Sequence, residues 1–335
     1  MLTTTTQEDS GHKHATARPG RARGSRALMP SGVRIRLMDE PDLERIVELR
    51  KSVRWATDPG AFRLLRGIGE ARWAIAEAGE EEGVVAGMVG AVPLGEVGIL
   101  CHLAVHHDYR GNGLGTKLSS WAVSYLRSRG ASTILLDATH EAKRLYGSLG
   151  FEPVSRRMSY RLEGAVLKKW SRKARSRGVR SPGVRSRENG LRIGPLLFGD
   201  LPELYGVDRW SFGADRAALI RATLRLHPDR GLTARDASDR IKGYLIRSAY
   251  NAGTRIGPFM AAEPVIARSL LARALLCPLT ASGGVEVSVP NDGPAHKVLL
   301  EFGFVGQEDR IRMELGEAPH TKGLEIYGTT PYLAT

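Results

Sequence analysis

The chain is poor in several things, and each shortage excludes something. It has two cysteines in 335 residues, Cys101 and Cys277. That is too few for a disulfide framework, so the expected setting is a reducing cytoplasm. No apolar stretch reaches the roughly 18 residues of a membrane span. The opening segment, MLTTTTQEDSGHKHATARPGRARGSR, lacks an apolar centre and is not expected to act as a secretory signal. Acids are missing altogether from residues 168–187, KKWSRKARSRGVRSPGVRSR, which carry nine Lys/Arg. That run supplies +9 of a formal net charge of +13, and residues 1–32 supply +3, so the remainder is nearly neutral. A basic chain invites nucleic acid. Here the charge is confined to Ser/Gly/Arg-rich stretches that read as an unfolded tail and linker, and Trp170 is the run's one aromatic. Neither RNA nor a membrane surface is the expected partner.

What is present is a globular composition, 42% hydrophobic, long enough for two domains. The sequence also repeats itself. VRIRLMDEPDLERIVEL from Val33 parallels LRIGPLLFGDLPELYGV from Leu191, so that Arg34, Ile35, Asp42 and Leu43 meet Arg192, Ile193, Asp200 and Leu201. Further on, Gly87 meets Gly243, and Gly150-Phe151 meets Gly303-Phe304. Two copies of one α/β fold are expected. The divisions are a basic tail at 1–32, a first domain at 33–164, a basic linker at 165–190, a second domain at 191–318 and a tail at 319–335.

Within the first copy, periodicity predicts strand 33–38, helix 41–52, a helical piece near 58–69, and strands 72–78, 83–92 and 97–106. Helix 113–129, strand 132–137, helix 141–149 and a last strand near 152–162 follow. The acids Glu77, Glu80, Glu81 and Glu82 fall at a hairpin and read as a soluble tip; the alternative is a role in attracting a cationic substrate. Three strands, a helix, then strand–helix–strand describe a mixed sheet with helices on both faces, not a strictly alternating dinucleotide fold. Strand 97–106 runs directly into RGNGLG, Arg110 to Gly115. The helix that follows carries Leu114, Leu118, Trp121, Ala122, Tyr125 and Leu126 on one face. A glycine-rich loop at the start of a buried helix favours an anion, through free N–H groups and the helix dipole, and Arg110 adds a charge. The loop is not a P-loop, because Thr116-Lys117 follows Gly115. It is not a dinucleotide fingerprint either, because Thr116 occupies the third glycine position. The spacing is R-x-x-G-x-G.

That spacing, in LAVHHDYRGNGLGTKL, resembles the acetyl-CoA motif of the GNAT superfamily of N-acetyltransferases. LDATHEAKRLYGSLGF is similar to the same superfamily's later motif. The resemblance covers residues 33–162. It implies tandem acyl-CoA N-acyltransferase folds, each a mixed, mostly antiparallel sheet flanked by helices, and acetyl-CoA as the acetyl donor, with no metal. It places the pyrophosphate on Arg110, Gly111, Asn112, Gly113, Leu114, Gly115 and Thr116, and the pantetheine arm along Leu103, Ala104 and Val105. Tyr146 falls where many relatives keep a tyrosine that protonates the leaving sulfur; the alternative is a packing aromatic.

No base is marked. Some relatives carry a glutamate where this chain has Ile99. His102 is a candidate, as are Asp137 and His140, and in some relatives water carries the proton. Trp55 is a candidate wall of the acceptor pocket. His106, His107 and Asp108 form a polar turn, but neighbours on an extended strand diverge, so no metal is expected there.

The second copy has EPVIARSLLARALL where the glycine loop should be, and Leu299 where Tyr146 should be. It resembles the degenerate C-terminal domain of bacterial tandem acetyltransferases and is expected to complete the pocket or to stabilise the pair through a sheet-like interface. The expected function is acetyl transfer to the primary amine of a small molecule, by a monomer or homodimer. The alternatives are a CoA-binding sensor or scaffold without turnover, and a protein- or ribosome-associated acetyltransferase using the basic linker.

Overall fold

The structure, a computed structural model, describes residues 32–55, 67–79, 83–176, 186–188, 190–226, 228–250, 253–276 and 283–329. Most of the helical piece expected near 58–69, together with Glu80, Glu81, Glu82 and Cys277, lies outside them. The first half runs β1 (Arg34–Leu37), α1 (Asp42–Ser52), β2 (Arg72–Ala78), β3 (Val84–Leu94), β4 (Val97–Val105), α2 (Leu114–Ser128), β5 (Thr133–Ala138), α3 (Lys143–Gly147) and β6 (Glu152–Leu162). Then come α4 (Gly164–Ser176) and β7 (Ser186–Glu188). The second half repeats the first: β8 (Leu191–Pro195), α5 (Leu201–Phe212), α6 (Ala217–Leu226), β9 (Gly231–Arg235), β10 (Ile241–Tyr250), β11 (Gly253–Ala261), α7 (Pro264–Leu276), β12 (Val285–Pro290), α8 (Ala295–Glu301) and β13 (Val305–Leu315). A final strand, β14 (Glu325–Gly328), has no counterpart among the described residues of the first half.

The mostly antiparallel mixed sheet and its flanking helices follow the expected plan. The expected sheet-like interface is present, as one sheet shared by the two halves; what the sequence did not disclose is that they trade strands. The sheet's order is β1-β2-β3-β4-β5-β13-β6-β12-β11-β10-β9-β8-β7. Strand β13 of the second half lies between β5 and β6 of the first, and β6 lies between β12 and β13 of the second. The central pair is antiparallel with Arg157 opposite Arg310. Residue 310 stands 153 positions after 157, the same offset that carries β6 onto β13. The halves therefore meet about a local two-fold axis.

The cores follow the exchange. Leu114, Leu118, Ala122 and Leu126 line one face of α2, all 2% exposed or less, and seal one side of β3 and β4 together with Met313 of β13. Fully burying each leucine contributes about 1.5–3 kcal/mol. On the other side, α1 packs Leu43, Ile46 and Leu49 against Ile99 and Cys101, and Ala214 and Leu219 of the second half join the same cluster. Tyr160 and Leu162 of β6 are in turn part of the second half's core.

Two expectations are corrected. The basic run does not begin as an unfolded linker: residues 164–176 are helical. Leu167 is buried, Trp170 packs on Phe302 with ring centroids 5.4 Å apart, and Ser171 donates to the Leu275 carbonyl. Lys168, Lys169, Arg172 and Lys173 stay exposed. Nor is the region beyond 319 all tail, since β14 pairs with β11.

Candidate functional site

β4 and β5 run parallel, but they pair only at Val97↔Thr133, Gly98↔Ile134 and Ile99↔Leu135. Beyond Ile99 they diverge. A bulge against β3 between Cys101 and Ala104, with His102 at φ 54°, turns the strand there. A cleft of about 800 Å³ opens in the gap, within the range of small-molecule sites.

The expected anion loop forms one end of this cleft. Gly113 caps α2 at φ 75°, in the left-handed region that glycine enters without steric cost. No side chain caps the helix and no acid lies in its first turn, so the leading N–H groups and the helix dipole remain available to an anion. A Cβ on Gly113 would meet nothing within 4 Å, while one on Gly115 would strike Leu145 Cδ1 at 2.8 Å. Gly115 thus lets α2 approach α3. Arg110 Nε donates to the Val105 carbonyl at 3.0 Å, tying the loop to the end of β4.

Of the residues singled out in the sequence, Trp55, Leu103, Ala104, Val105, Arg110, Gly111, Gly113, Leu114, Gly115, Thr116, Asp137 and Tyr146 all line the cleft. Asn112, His102 and His140 are not in its lining. Tyr146 is 4% exposed and packs edge-on against Phe151 at 5.8 Å. Burial, and then the neighbouring Cys101, raise its pKa well above the ordinary phenol value, so it keeps its proton. Trp55 follows α1 and has the Arg50 guanidinium 5.3 Å from its ring.

The candidate bases fare differently. His102 is buried, and its Nδ1 accepts from the Trp73 indole at 3.2 Å. Burial, then the charge of Arg50, push its pKa down to about 3, too low for a base working near neutrality. Asp137 is buried and ion-paired. Arg312 of β13 holds it through two bonds of 2.7 and 2.9 Å, and Arg157 Nε of β6 lies 2.8 Å away. Burial opposes its ionisation, but the two arginines hold its pKa below the usual carboxylate value. His140 is exposed and bonds to Asp309 at 2.7 Å.

His106, His107 and Asp108 do not diverge as expected. Residues 107–109 form a 3-10 turn, and their candidate ligand atoms lie within 4.8 Å of one another. His106 Nδ1 also accepts the Asp108 N–H at 3.4 Å.

Arg157 and Arg312 were not marked by the sequence. They belong to no motif, and Arg312 reaches Asp137 only because β13 is exchanged.

The second half splays in the same way. β11 and β12 pair only at Thr254↔Val285 and Arg255↔Glu286. There the opening is filled: β14 pairs antiparallel along Phe259, Met260 and Ala261 of β11. The strand edge that stays open in the first half is thus occupied in the second by the chain itself.

Comparison with known proteins fits this geometry. A family model described as the acetyltransferase (GNAT) family matches residues 42–151, and one described as an acetyltransferase (GNAT) domain matches residues 205–328. Human N-acetyltransferase 8B is 34% identical over 82 residues, which span 22% of this chain and 36% of that protein. The chain therefore matches about a third of that relative's length. A candidate acetyltransferase from Pyrococcus horikoshii superposes with a TM-score of 0.68 at 19% identity, covering 93% of this chain and 99% of that one. A GCN5-related N-acetyltransferase from Sphaerobacter thermophilus gives 0.59 at 18% identity, over 90% and 100%. A tandem GNAT protein from the clavulanic acid biosynthesis pathway gives 0.57 at 13% identity, over 86% and 100%. At these identities the structural likenesses speak for the fold.

Proposed function

The chain belongs to the GNAT acetyltransferase family, two of whose models together match most of it, and from that premise we propose that it moves an acetyl group from acetyl-CoA to the primary amine of a small molecule, with the chemistry in the first half alone. The observation that carries this reading is the open cleft between β4 and β5, with an uncapped helix start at one end and Tyr146 along its wall.

The residues fit the donor. The leading N–H groups of α2 and the Arg110 guanidinium hold its pyrophosphate, in a loop where glycine at 113 leaves room for close approach. The free edge of β4 from Leu103 to Val105 accepts an extended amide-bearing arm as a further strand would. Bound there, acetyl-CoA supplies a thioester that passes its acetyl group to the amine and releases a thiol. Tyr146 holds a proton on its hydroxyl and donates it to the departing sulfur. Trp55 and Val53 wall the acceptor end. Because His102 is neutral and buried, and Asp137 is engaged by arginines, the amine loses its proton to water rather than to a dedicated base. The second half takes no part in the chemistry. It supplies β13, and β14 keeps its own splayed strands filled.

The test is release of free CoA thiol from acetyl-CoA over a panel of amines. Turnover with at least one amine supports the reading. Tight acetyl-CoA binding without turnover on any amine would make the protein a CoA-binding sensor instead.

A further inference from the structure

A second and smaller cavity shares Asp137 with the cleft. It is lined by Ile99 and Asp137 of the first half, Arg157 of β6, Arg312 of β13, and Phe212 and Thr329 of the second half. Asp137 thus stands between the two spaces, with a face on each.

Its charges are unevenly met. Arg157 is 8% exposed and Arg312 9%, yet at contact distance they share the single carboxylate of Asp137. Arg157 Nη1 is buried and has no hydrogen-bond partner among the described residues. Glu314 of β13, opposite Leu135, is near enough for the charges of Arg312 and Arg157 to favour its ionised form, but it makes no ion pair among the described residues. Arg216 is committed to Asp208 through a buried pair. An unanswered N–H on a buried guanidinium is costly unless a water or an anion meets it. The same imbalance pulls the Arg157 pKa down to about 10, through burial first and then repulsion from Arg312. The cavity offers about 20 Å³ to water-sized groups, more than the ~10–15 Å³ one water requires, so it admits a small polar group and nothing bulky.

We infer that the acceptor is an amine that also carries a carboxylate, an amino acid in the broad sense, whose acid group is bound by Arg157 Nη1 while its amine faces the splay between β4 and β5. The inference rests on the acetyltransferase reading above. Arg312, fixed bidentately by Asp137, keeps a second positive charge beside the same cavity. The exchange of β6 and β13 is what brings the two arginines together, so acceptor choice depends on both halves even though the donor site lies in one.

The test uses the full-length protein and matched pairs of amines, each an α- or ω-amino acid and its carboxamide. Calorimetry in the presence of CoA and kcat/KM for acetyl transfer are measured on both members. The acids are expected to be preferred by about 10- to 100-fold, as a charge-assisted hydrogen bond predicts. In Arg157→Gln the preference falls to within about threefold, while acetyl-CoA affinity is retained. Arg157→Lys recovers part of it. A merely structural role for Arg157 would lower both members of a pair together and leave their ratio unchanged. Carboxamides used as well as acids, an undiminished preference in Arg157→Gln, or failure of every acid to bind overturns the inference. Acetyl-CoA binding with turnover of neutral amines would leave the acetyltransferase reading intact, whereas failure to bind acetyl-CoA would remove that reading itself.

Discussion

Cutting the chain after residue 176 removes the second half and should abolish the site in the first. In such a fragment β6 loses both neighbours and β5 loses its outer one. The lost ladders comprise nine residue pairs between β6 and β13, five between β13 and β5 and six between β6 and β12. At roughly 0.5–1.5 kcal/mol net per backbone hydrogen bond, they amount to at least on the order of 10 kcal/mol. A whole domain is typically stable by about 5–15 kcal/mol. The fragment also exposes the apolar surface that met Ala214 and Leu219, and Asp137 loses Arg312. Urea titration followed by far-ultraviolet circular dichroism should show no cooperative transition, and calorimetry should show no acetyl-CoA binding. A fragment that unfolds cooperatively and binds acetyl-CoA within threefold of the full chain would refute the claim that the exchanged strands are required.

Tyr146→Phe should lower turnover by about 100-fold, the lower range for losing a positioned acid, with acetyl-CoA affinity within twofold of the parent; equal turnover would return Tyr146 to packing alone. His102→Gln should leave kcat/KM within about threefold and its pH profile unchanged, since the histidine stays neutral far below its usual pKa; a tenfold loss with an inflection removed would restore it as a base. Glu77 joins β1, β2 and α1 through Arg36 and Arg45, and those bonds lower its pKa from 4.5 to about 2. A depressed acid stabilises fully above its unfolded pKa and loses that contribution as pH falls toward the folded value. Denaturation midpoints measured between pH 4.5 and 2 should therefore fall less steeply in Glu77→Gln; an unchanged slope would count against the network.

The local elements were legible because each half carries its own periodicities. The α2 stripe of Leu114, Leu118, Ala122 and Leu126 reads directly as a helix packed on a sheet, and R-x-x-G-x-G fixes the loop. Strand partners were not legible. β6 and β13 have the same length and related positions, and nothing local says that each will pair inside the other half. For the same reason Asp137 resembled a free base, when its partners come from strands 20 and 175 residues away. The dense charge of residues 168–187 hid the apolar pair Leu167 and Trp170 that seats α4 on the second half. The short segment Glu325–Gly328 carries too little pattern to be recognised as the strand that fills the second cleft.

The most direct test of the account is the number of acetyl-CoA molecules that the full-length chain binds. Isothermal titration should give one equivalent per chain, lost in Gly113→Glu, where a carboxylate would project into the open space beside the α2 start. Two equivalents, or one that survives Gly113→Glu unweakened in a folded protein, would contradict it.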